Sequence, residues 1–104
     1  MGNSYFTVVA HIKAKPGQEQ QVKEALLALV GPTRRESGCV RYDLHQSLEN
    51  SGHFLFYEHW QNRRTLEDHL QQPHIQEFLR RSEVLLAEPV ALSFWEVISE
   101  PAKH

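Results

Sequence analysis

The alternation of apolar and polar residues along the chain predicts four strands. Segments rich in aromatic and β-branched residues occupy positions 5–14 ("YFTVVAHIKA") and 90–98 ("VALSFWEVI"). Between them, 39–45 ("CVRYDLH") and 53–60 ("HFLFYEHW") alternate with the period of two that is typical of strands. The turn-like "QSLENSG" joins these two middle segments, so we expect them to form a hairpin.

A first helix is predicted between the first two strands, over residues 18–36. Its apolar residues recur at the i, i+3, i+4, i+7 spacing of one helical face. They are Val22, Ala25, Leu26, Leu29 and Val30. Gly38 follows this segment and suits the left-handed conformation with which many helices end.

A second helical segment follows the hairpin and is interrupted by a proline. Asn62 is a residue type that caps helices, and Leu66, His69 and Leu70 then form a stripe. Pro73 breaks this pattern and fits the first turn of a new segment, where its missing N–H does no harm. The apolar stripe of that new segment contains Ile75, Phe78, Leu79 and Leu86.

The resulting order, βαββαβ, predicts an α+β, ferredoxin-like fold with an antiparallel sheet and two helices on one face. We expect one domain over residues 1–104, with a core at about 5–98 and short flexible termini. Both sheet faces are bulky, because Leu55 and Tyr57 alternate with Phe54, Phe56 and Trp60. Helices can cover only one face, so the sequence predicts a homodimer through the open sheet face.

Composition and charge exclude several classes of function. The net charge is −2 and the basic residues are dispersed, so we predict no nucleic-acid partner. No apolar run approaches the roughly 20 residues of a membrane span, and "MGNSYF" lacks a secretory pattern. We therefore expect no membrane partner and a cytoplasmic location. The single cysteine, Cys39, excludes an internal disulfide and a cysteine-based zinc site.

Two of the seven histidines flank the helix interruption, in "HLQQPH" at 69–74. On one continuous helix, five residues correspond to a rotation of about 140°, so the two imidazoles should point in different directions. We therefore predict no metal site. His69 continues an apolar stripe, which leaves two interpretations open. It is either a buried histidine bonded to a backbone carbonyl or a pocket residue that exchanges protons near neutral pH.

Glu58 is the other unusual polar residue, because it lies within an apolar strand on the face of Phe56 and Trp60. A carboxylate in that position needs a partner, or its pKa rises. Arg41 on the paired strand could be this partner. Alternatively, Glu58 could accept a proton or a hydrogen bond from a phenolic substrate. Tyr42 has the opposite strand parity to Arg41 and could offer its hydroxyl to a pocket.

Four motifs in this order resemble the antibiotic biosynthesis monooxygenase (ABM) family. They are "VVAHIKAKPGQEQQV", "ESGCVRYDLHQ", "FLFYEHW" and "LEDHLQQPHIQEFL", and the resemblance covers roughly residues 5–98. It implies ferredoxin-like subunits that pair into a dimeric α+β barrel. It also implies small monooxygenases that oxidise quinols or polycyclic phenols without metal, flavin or haem. The sequence contains no phosphate-binding loop and no flavin or nicotinamide motif, so we expect no cofactor.

The resemblance implies a site in a cavity between the sheet and the helices. It suggests His69 and Glu58 as catalytic residues. The substrate-binding candidates are Trp60, Tyr42, His74 near the cavity mouth, Arg41 and Phe56. Haem-degrading relatives have characteristic residues at positions that correspond here to Ala10, His69 and Leu79, none of which matches, so we expect no haem.

The leading hypothesis is a cofactor-independent monooxygenase that acts on a quinol-like or phenolic small molecule with molecular oxygen. One alternative is an isomerase of a small phosphorylated signalling metabolite. That reaction needs a cation for the phosphate, and Arg41 is the best candidate. Another alternative is a non-catalytic dimer that binds a small molecule. Fold alone does not decide among these possibilities.

Overall fold

The computed structural model describes residues 5–100 and contains one four-stranded antiparallel sheet in the order β2-β3-β1-β4. The elements are β1 (Phe6–Lys13), α1 (Glu19–Arg34), β2 (Cys39–Gln46), β3 (His53–Trp60), α2 (Arg63–Leu70), α3 (Pro73–Leu85) and β4 (Ala91–Trp95). This arrangement confirms the predicted α+β, ferredoxin-like fold. The predicted flexible termini include residues 1–4 and 101–104, which lie outside the described residues.

The element boundaries match the sequence prediction best in the hairpin and least well in the last strand. β3 has the predicted limits, whereas β4 is shorter than the predicted segment 90–98. Thr7 pairs with Trp95 and His11 with Ala91. Because β1 begins at Phe6, residues after Trp95 have almost no strand left to pair with.

The helices cover one face of the sheet, and the main core lies between them. Alternate residues of β1 and β3 point into this layer, as the period-two pattern predicted. The buried residues include Val8, Ala10 and Ile12 from β1, Phe54, Phe56 and Trp60 from β3, Val22, Leu26 and Leu29 from α1, and Ile75 and Phe78 from α3. The helical stripes seen in the sequence therefore do pack on the sheet.

The opposite face of the sheet, called here the open face, has no helix over it in the described chain. It carries Thr7, Val9, Leu55, Tyr57, His59 and Trp95. Trp95 is 59% exposed. Among residues 5–100, the only buried side-chain polar atoms without a hydrogen-bond partner are Thr7 Oγ1 and His59 Nε2, and both belong to this face. Such atoms are rare in folded proteins, so the buried polar groups of the open face are less fully satisfied than most.

The turn after α1 packs against the start of α2. Asn62 caps α2 as predicted, because Thr65 N–H donates to Asn62 Oδ1 over 3.0 Å. Gly38 has a φ of +90°, as its predicted left-handed conformation requires, but it lies in the turn beyond the helix end. A Cβ atom at Gly38 would be 2.3 Å from Thr65 Cγ2, so only glycine allows this approach.

The predicted interruption near Pro73 divides the second helical segment into α2 and α3. The amide N–H groups of Gln71 and Gln72 bond to the carbonyls of Asp68 and His69, which closes α2 with a tight final turn. Pro73 occupies the first turn of α3, as predicted. Within the described residues, no helix combines the length and apolar character needed to cross a bilayer.

Candidate active site

A mostly apolar cavity of about 340 Å³ lies between the sheet and the helices. Its volume is within the range of pockets that hold small ligands. Four of the predicted site residues, His69, Glu58, Tyr42 and Phe56, line it. The rest of its wall is Ala10, Ile12, Leu26, Leu29, Leu66, Leu70, Gln71, Ile75, Gln76, Phe78, Leu79, Val90 and Leu92.

His69 is held in the wall of this cavity by packing and by one carboxylate. It is 3% exposed, and its ring centroid lies 4.6 Å from that of Trp60 and 5.6 Å from that of Tyr42. Its Nδ1 lies 2.9 Å from Glu36 Oε2. A carboxylate oxygen can only accept, so Nδ1 carries the donated proton and Nε2 keeps its lone pair. Within residues 5–100, Nε2 makes no hydrogen bond.

The environment of His69 favours its neutral form. Burial lowers the pKa of His69, and the Glu36 carboxylate opposes this effect. The hydrogen-bond partner of His69 therefore differs from the one predicted for a buried structural histidine. Its N–H is bonded to a side-chain carboxylate and not to a backbone carbonyl. The arrangement is a buried histidine whose tautomer is fixed by an acidic partner.

Glu36 also joins His69 to a histidine outside the cavity. His74 Nε2 lies 2.8 Å from Glu36 Oε2 and 3.2 Å from Thr33 Oγ1. His74 and Glu36 line a second cleft, called here the outer cleft, together with Pro32, Arg35, Ser37 and Gln72. His74 therefore belongs to the outer cleft and is not among the residues that line the cavity.

Glu58 is buried in the cavity wall and bonded to an indole. Trp60 Nε1 donates to Glu58 Oε1 over 2.8 Å. Burial raises the pKa of Glu58 to about 7, while the Trp60 hydrogen bond opposes the rise and Glu36 adds to it. Glu58 can consequently accept or release a proton near neutral pH. The predicted partnership with Arg41 is wrong, because Tyr42 is the residue opposite Glu58 in the sheet.

Tyr42 completes the polar part of the cavity wall. Its ring stacks on Phe56 with centroids 4.2 Å apart. Burial raises the pKa of Tyr42, and the charge on Glu58 adds to the effect. Its hydroxyl is therefore a neutral hydrogen-bond donor at physiological pH.

Besides His74, two predicted site residues do not line the cavity. Trp60 is fully buried and supports Glu58 and His69 from behind. Arg41 pairs with Asp43, with Nε and Oδ2 3.2 Å apart, and lies opposite His59 on the open face. The strand parity that places Tyr42 in the cavity necessarily directs its neighbour Arg41 to the other side of the sheet.

The expectation that His69 and His74 point in different directions is also wrong. A rotation of about 140° over five residues applies to one continuous helix, whereas the chain breaks between α2 and α3. One ligand atom from each of Glu36, His69 and His74 lies within 4.8 Å of the other two. A carboxylate and two imidazoles are donor types that zinc and ferrous iron accept. Among residues 5–100, these three are therefore the ones that could hold a metal ion.

Glu36 is the site residue that the sequence analysis missed. A signal for it was present, because the buried positions Val22, Leu26, Leu29 and Thr33 are spaced by four, three and four residues. The next position in that series is Glu36. A carboxylate that continues a buried helical stripe needs hydrogen-bond partners, and the histidines of the chain were candidates for that role.

The comparisons with known proteins agree with this fold. Residues 5–81 match the family described as antibiotic biosynthesis monooxygenase. The crystal structure of PA3566 from Pseudomonas aeruginosa is 34% identical with a TM-score of 0.89, and the match covers 95% of this chain and 99% of that chain. The structure of Rv0793 from Mycobacterium tuberculosis is 29% identical with a TM-score of 0.86, over 95% and 100% of the two chains.

Curated relatives point in the same direction. "Putative monooxygenase Rv0793" is 30% identical over 97 residues, which cover 93% of this chain and 95% of that protein. The uncharacterized protein sll1783 of Synechocystis is 32% identical over 92 residues, which cover 88% of this chain but only 63% of that relative. Monooxygenation is the activity class that the family and the name of the Rv0793 relative support. The chain belongs to the antibiotic biosynthesis monooxygenase family.

Proposed function

We propose that the protein is a cofactor-independent monooxygenase that oxidises a quinol-like or phenolic aromatic molecule with molecular oxygen. The observation that carries this proposal is the apolar cavity with a tautomer-fixed histidine in its wall. Family membership supports the reaction class. The aromatic and aliphatic lining suits a flat, apolar substrate, and the few polar groups suit a hydroxyl on that substrate.

The proposed reaction needs no external reductant. A naphthoquinol and one O₂ give a hydroxynaphthoquinone and one water, so the substrate supplies all four electrons that reduce oxygen. One oxygen atom is retained in the product and the other leaves as water. Deprotonation of a substrate hydroxyl makes the ring electron-rich enough to react with oxygen, so the principal task of the protein is to accept that proton and to orient the ring.

His69 is the proposed proton acceptor. Its Nε2 has a free lone pair, while Nδ1–H donates to Glu36, which stabilises the positive charge that the ring gains on protonation. Glu58 is a second acceptor in the same wall, and Tyr42 can donate a hydrogen bond to a substrate oxygen. The apolar remainder of the wall limits the access of water to the reacting groups.

The isomerase alternative loses its main support. A phosphorylated substrate needs a cationic partner. Within the described residues, no lysine or arginine lines the cavity, and Arg41 lies on the other face of the sheet. A non-catalytic binder would fit the same cavity, so turnover must distinguish it from an enzyme.

We further propose that two chains associate through the open face, as the sequence predicts. Half-buried Leu55 and Tyr57 lie on that face beside the exposed Trp95. Contact with a second copy would cover these apolar groups and could provide partners for Thr7 Oγ1 and His59 Nε2.

The test of the proposed reaction is oxygen consumption with a panel of naphthoquinols and phenols, corrected for spontaneous oxidation. Isotopically labelled O₂ should introduce one labelled atom into the product. The His69→Ala variant should lower kcat/KM by about 100-fold or more, since it removes the proton acceptor. Glu67→Ala is the matched control, because Glu67 is exposed on the same helix.

Three results would contradict the proposal in different ways. Turnover that His69→Ala leaves unchanged would exclude His69 as the proton acceptor. Binding of these aromatics without enzyme-dependent oxygen uptake would favour the non-catalytic binder. Stabilisation of the folded protein by phosphate esters, but not by aromatic molecules, would favour the isomerase alternative.

A further inference from the structure

Three side chains from three separate segments converge on one point between the cavity and the outer cleft. Glu36 comes from the turn after α1, His69 from α2 and His74 from α3. Glu36 Oε2 lies 2.9 Å from His69 Nδ1 and 2.8 Å from His74 Nε2. We propose that this cluster is a binding site for a divalent transition-metal ion of the zinc type, which enters from the outer cleft.

The donor set and the spacing are suited to such an ion. Two imidazoles and one glutamate form a ligand set found in zinc sites that keep a fourth position open. Bonds of about 2 Å in a tetrahedral site place ligand atoms roughly 3.3 Å apart. The two nitrogen atoms already lie 2.9 Å and 2.8 Å from the carboxylate oxygen, and all three ligand atoms lie within 4.8 Å of one another. Small side-chain rotations would therefore open the cluster around an ion.

The surroundings provide a route for the ion. The His74 side chain is 22% exposed and that of Glu36 is 10% exposed, so the cluster is reached from the outer cleft. Thr33 Oγ1, 3.2 Å from His74 Nε2, is a further oxygen beside the cluster. Arg35 also lines the outer cleft, and its charge would lower the affinity for cations. The Glu36 carboxylate, as a ligand, offsets part of that effect.

Occupation of the site would change the surface that His69 presents to the cavity. Without an ion, His69 Nδ1–H donates to Glu36 and Nε2 is an acceptor. An ion takes the Nδ1 lone pair, so the proton must reside on Nε2, and the cavity then meets a donor. This consequence rests on the proposed function, in which Nε2 accepts the substrate proton. The metal ion should therefore inhibit the oxidation.

The direct experiment measures binding without any substrate. Chelator-treated protein is titrated with Zn²⁺ by calorimetry and with Co²⁺ by visible absorption. We expect one ion per chain and the intense absorption of four-coordinate cobalt. His74→Ala and Glu36→Gln should each weaken binding by at least about 10-fold, since each removes or weakens a ligand. His74 is partly exposed, so its variant should fold, which thermal unfolding verifies.

The matched control is His53→Ala. His53 Nε2 lies 3.1 Å from His11 Nδ1 on the open face, which is the other close imidazole pair in the described chain. This variant should bind the ion like the parent protein. The proposal is overturned if the parent binds less than one ion per chain, if His74→Ala and Glu36→Gln bind as tightly as the parent, or if His53→Ala loses the ion. Because binding is measured without substrate, its failure is distinguishable from failure of the proposed oxidation.

Discussion

The two faces of the sheet are formed by the same strands. They differ in how fully a single chain buries their side chains and pairs their polar groups. In β3, Phe54, Phe56, Glu58 and Trp60 are at most 3% exposed beneath the helices. Glu58 on that face receives the Trp60 N–H, whereas Nε2 of His59, on the open face, is buried without a partner. The two faces therefore differ in how fully a single chain satisfies their buried polar groups.

The two tryptophans give the largest expected contrast between the faces. Trp60→Ala should lower the free energy of unfolding by about 3–5 kcal/mol, because it leaves a cavity and an unpartnered Glu58. Trp95→Ala should lower it by about 1 kcal/mol or less in the single chain, since Trp95 is mostly exposed there. Urea denaturation at several protein concentrations measures both values.

Concentration separates packing within a chain from packing between chains. The free energy of unfolding that Trp60→Ala removes should not depend on protein concentration. The free energy that Trp95→Ala removes should grow in the concentration range where chains associate. If the two variants lost equal unfolding free energy at all concentrations, the proposal that only the open face packs against a second chain would be contradicted.

The titration of Glu58 tests the covered face. Its pKa is about 7 in the folded chain against an ordinary 4.5, so the folded state binds more protons between these values. Stability from this group is fully present below about pH 4.5 and is lost as the pH rises through about 7. The loss is at most about 3 kcal/mol. Glu58→Gln should remove this slope, as measured by urea denaturation at pH 5 and pH 8.

Glu67→Gln is the control for that measurement, because Glu67 is exposed and should leave the slope as it is in the parent protein. If the free energy of unfolding depended on pH in the same way in the parent protein and in Glu58→Gln, Glu58 would not titrate in this range. A steeper slope in Glu58→Gln would contradict the sign of the shift.

The smallest effect on the folded chain is expected on the open face. Tyr57→Glu should cost the single chain about 1 kcal/mol or less, because the side chain is only partly buried. It should nevertheless abolish association, since it places a charge in the proposed contact. Light scattering should give twice the mass of one chain for the parent and the mass of one chain for the variant.

Leu27→Glu is the matched control for Tyr57→Glu, because Leu27 is an exposed apolar residue on α1. It should leave the dimer intact. A parent protein with the mass of one chain at micromolar concentration would contradict the proposed dimer.

Much of the fold could be predicted because its signals are local. The alternation in β3 and the stripe in α1 each specify an element and its buried face. The Asn62 cap and Pro73 likewise locate the starts of α2 and α3. The end of β4 could not be predicted in the same way. It depends on how far β1 extends beside it, which is a property of register between segments distant in the chain.

The placement of the candidate site residues could be predicted in part for the same reason. His69 was expected to face the sheet from the stripe with Leu66 and Leu70, and its ring packs on Trp60. Its link to Glu36 joins residues 33 positions apart, and the link to His74 depends on the turn between two helices. Neither distance follows from spacing along the chain. The contacts that join Glu36 to His69 and His74 could therefore be identified only in the structure.

The geometry of the candidate site depends on the lack of a Cβ atom at Gly38. The turn that contains this glycine lies between Glu36 and β2, and it rests on Thr65, one helical turn before His69. Any side chain at position 38 would separate α2 from the end of α1 and move the carboxylate and the imidazole apart. Anyone who grafts this carboxylate–imidazole pair onto another scaffold would therefore have to copy the backbone contact along with the two side chains.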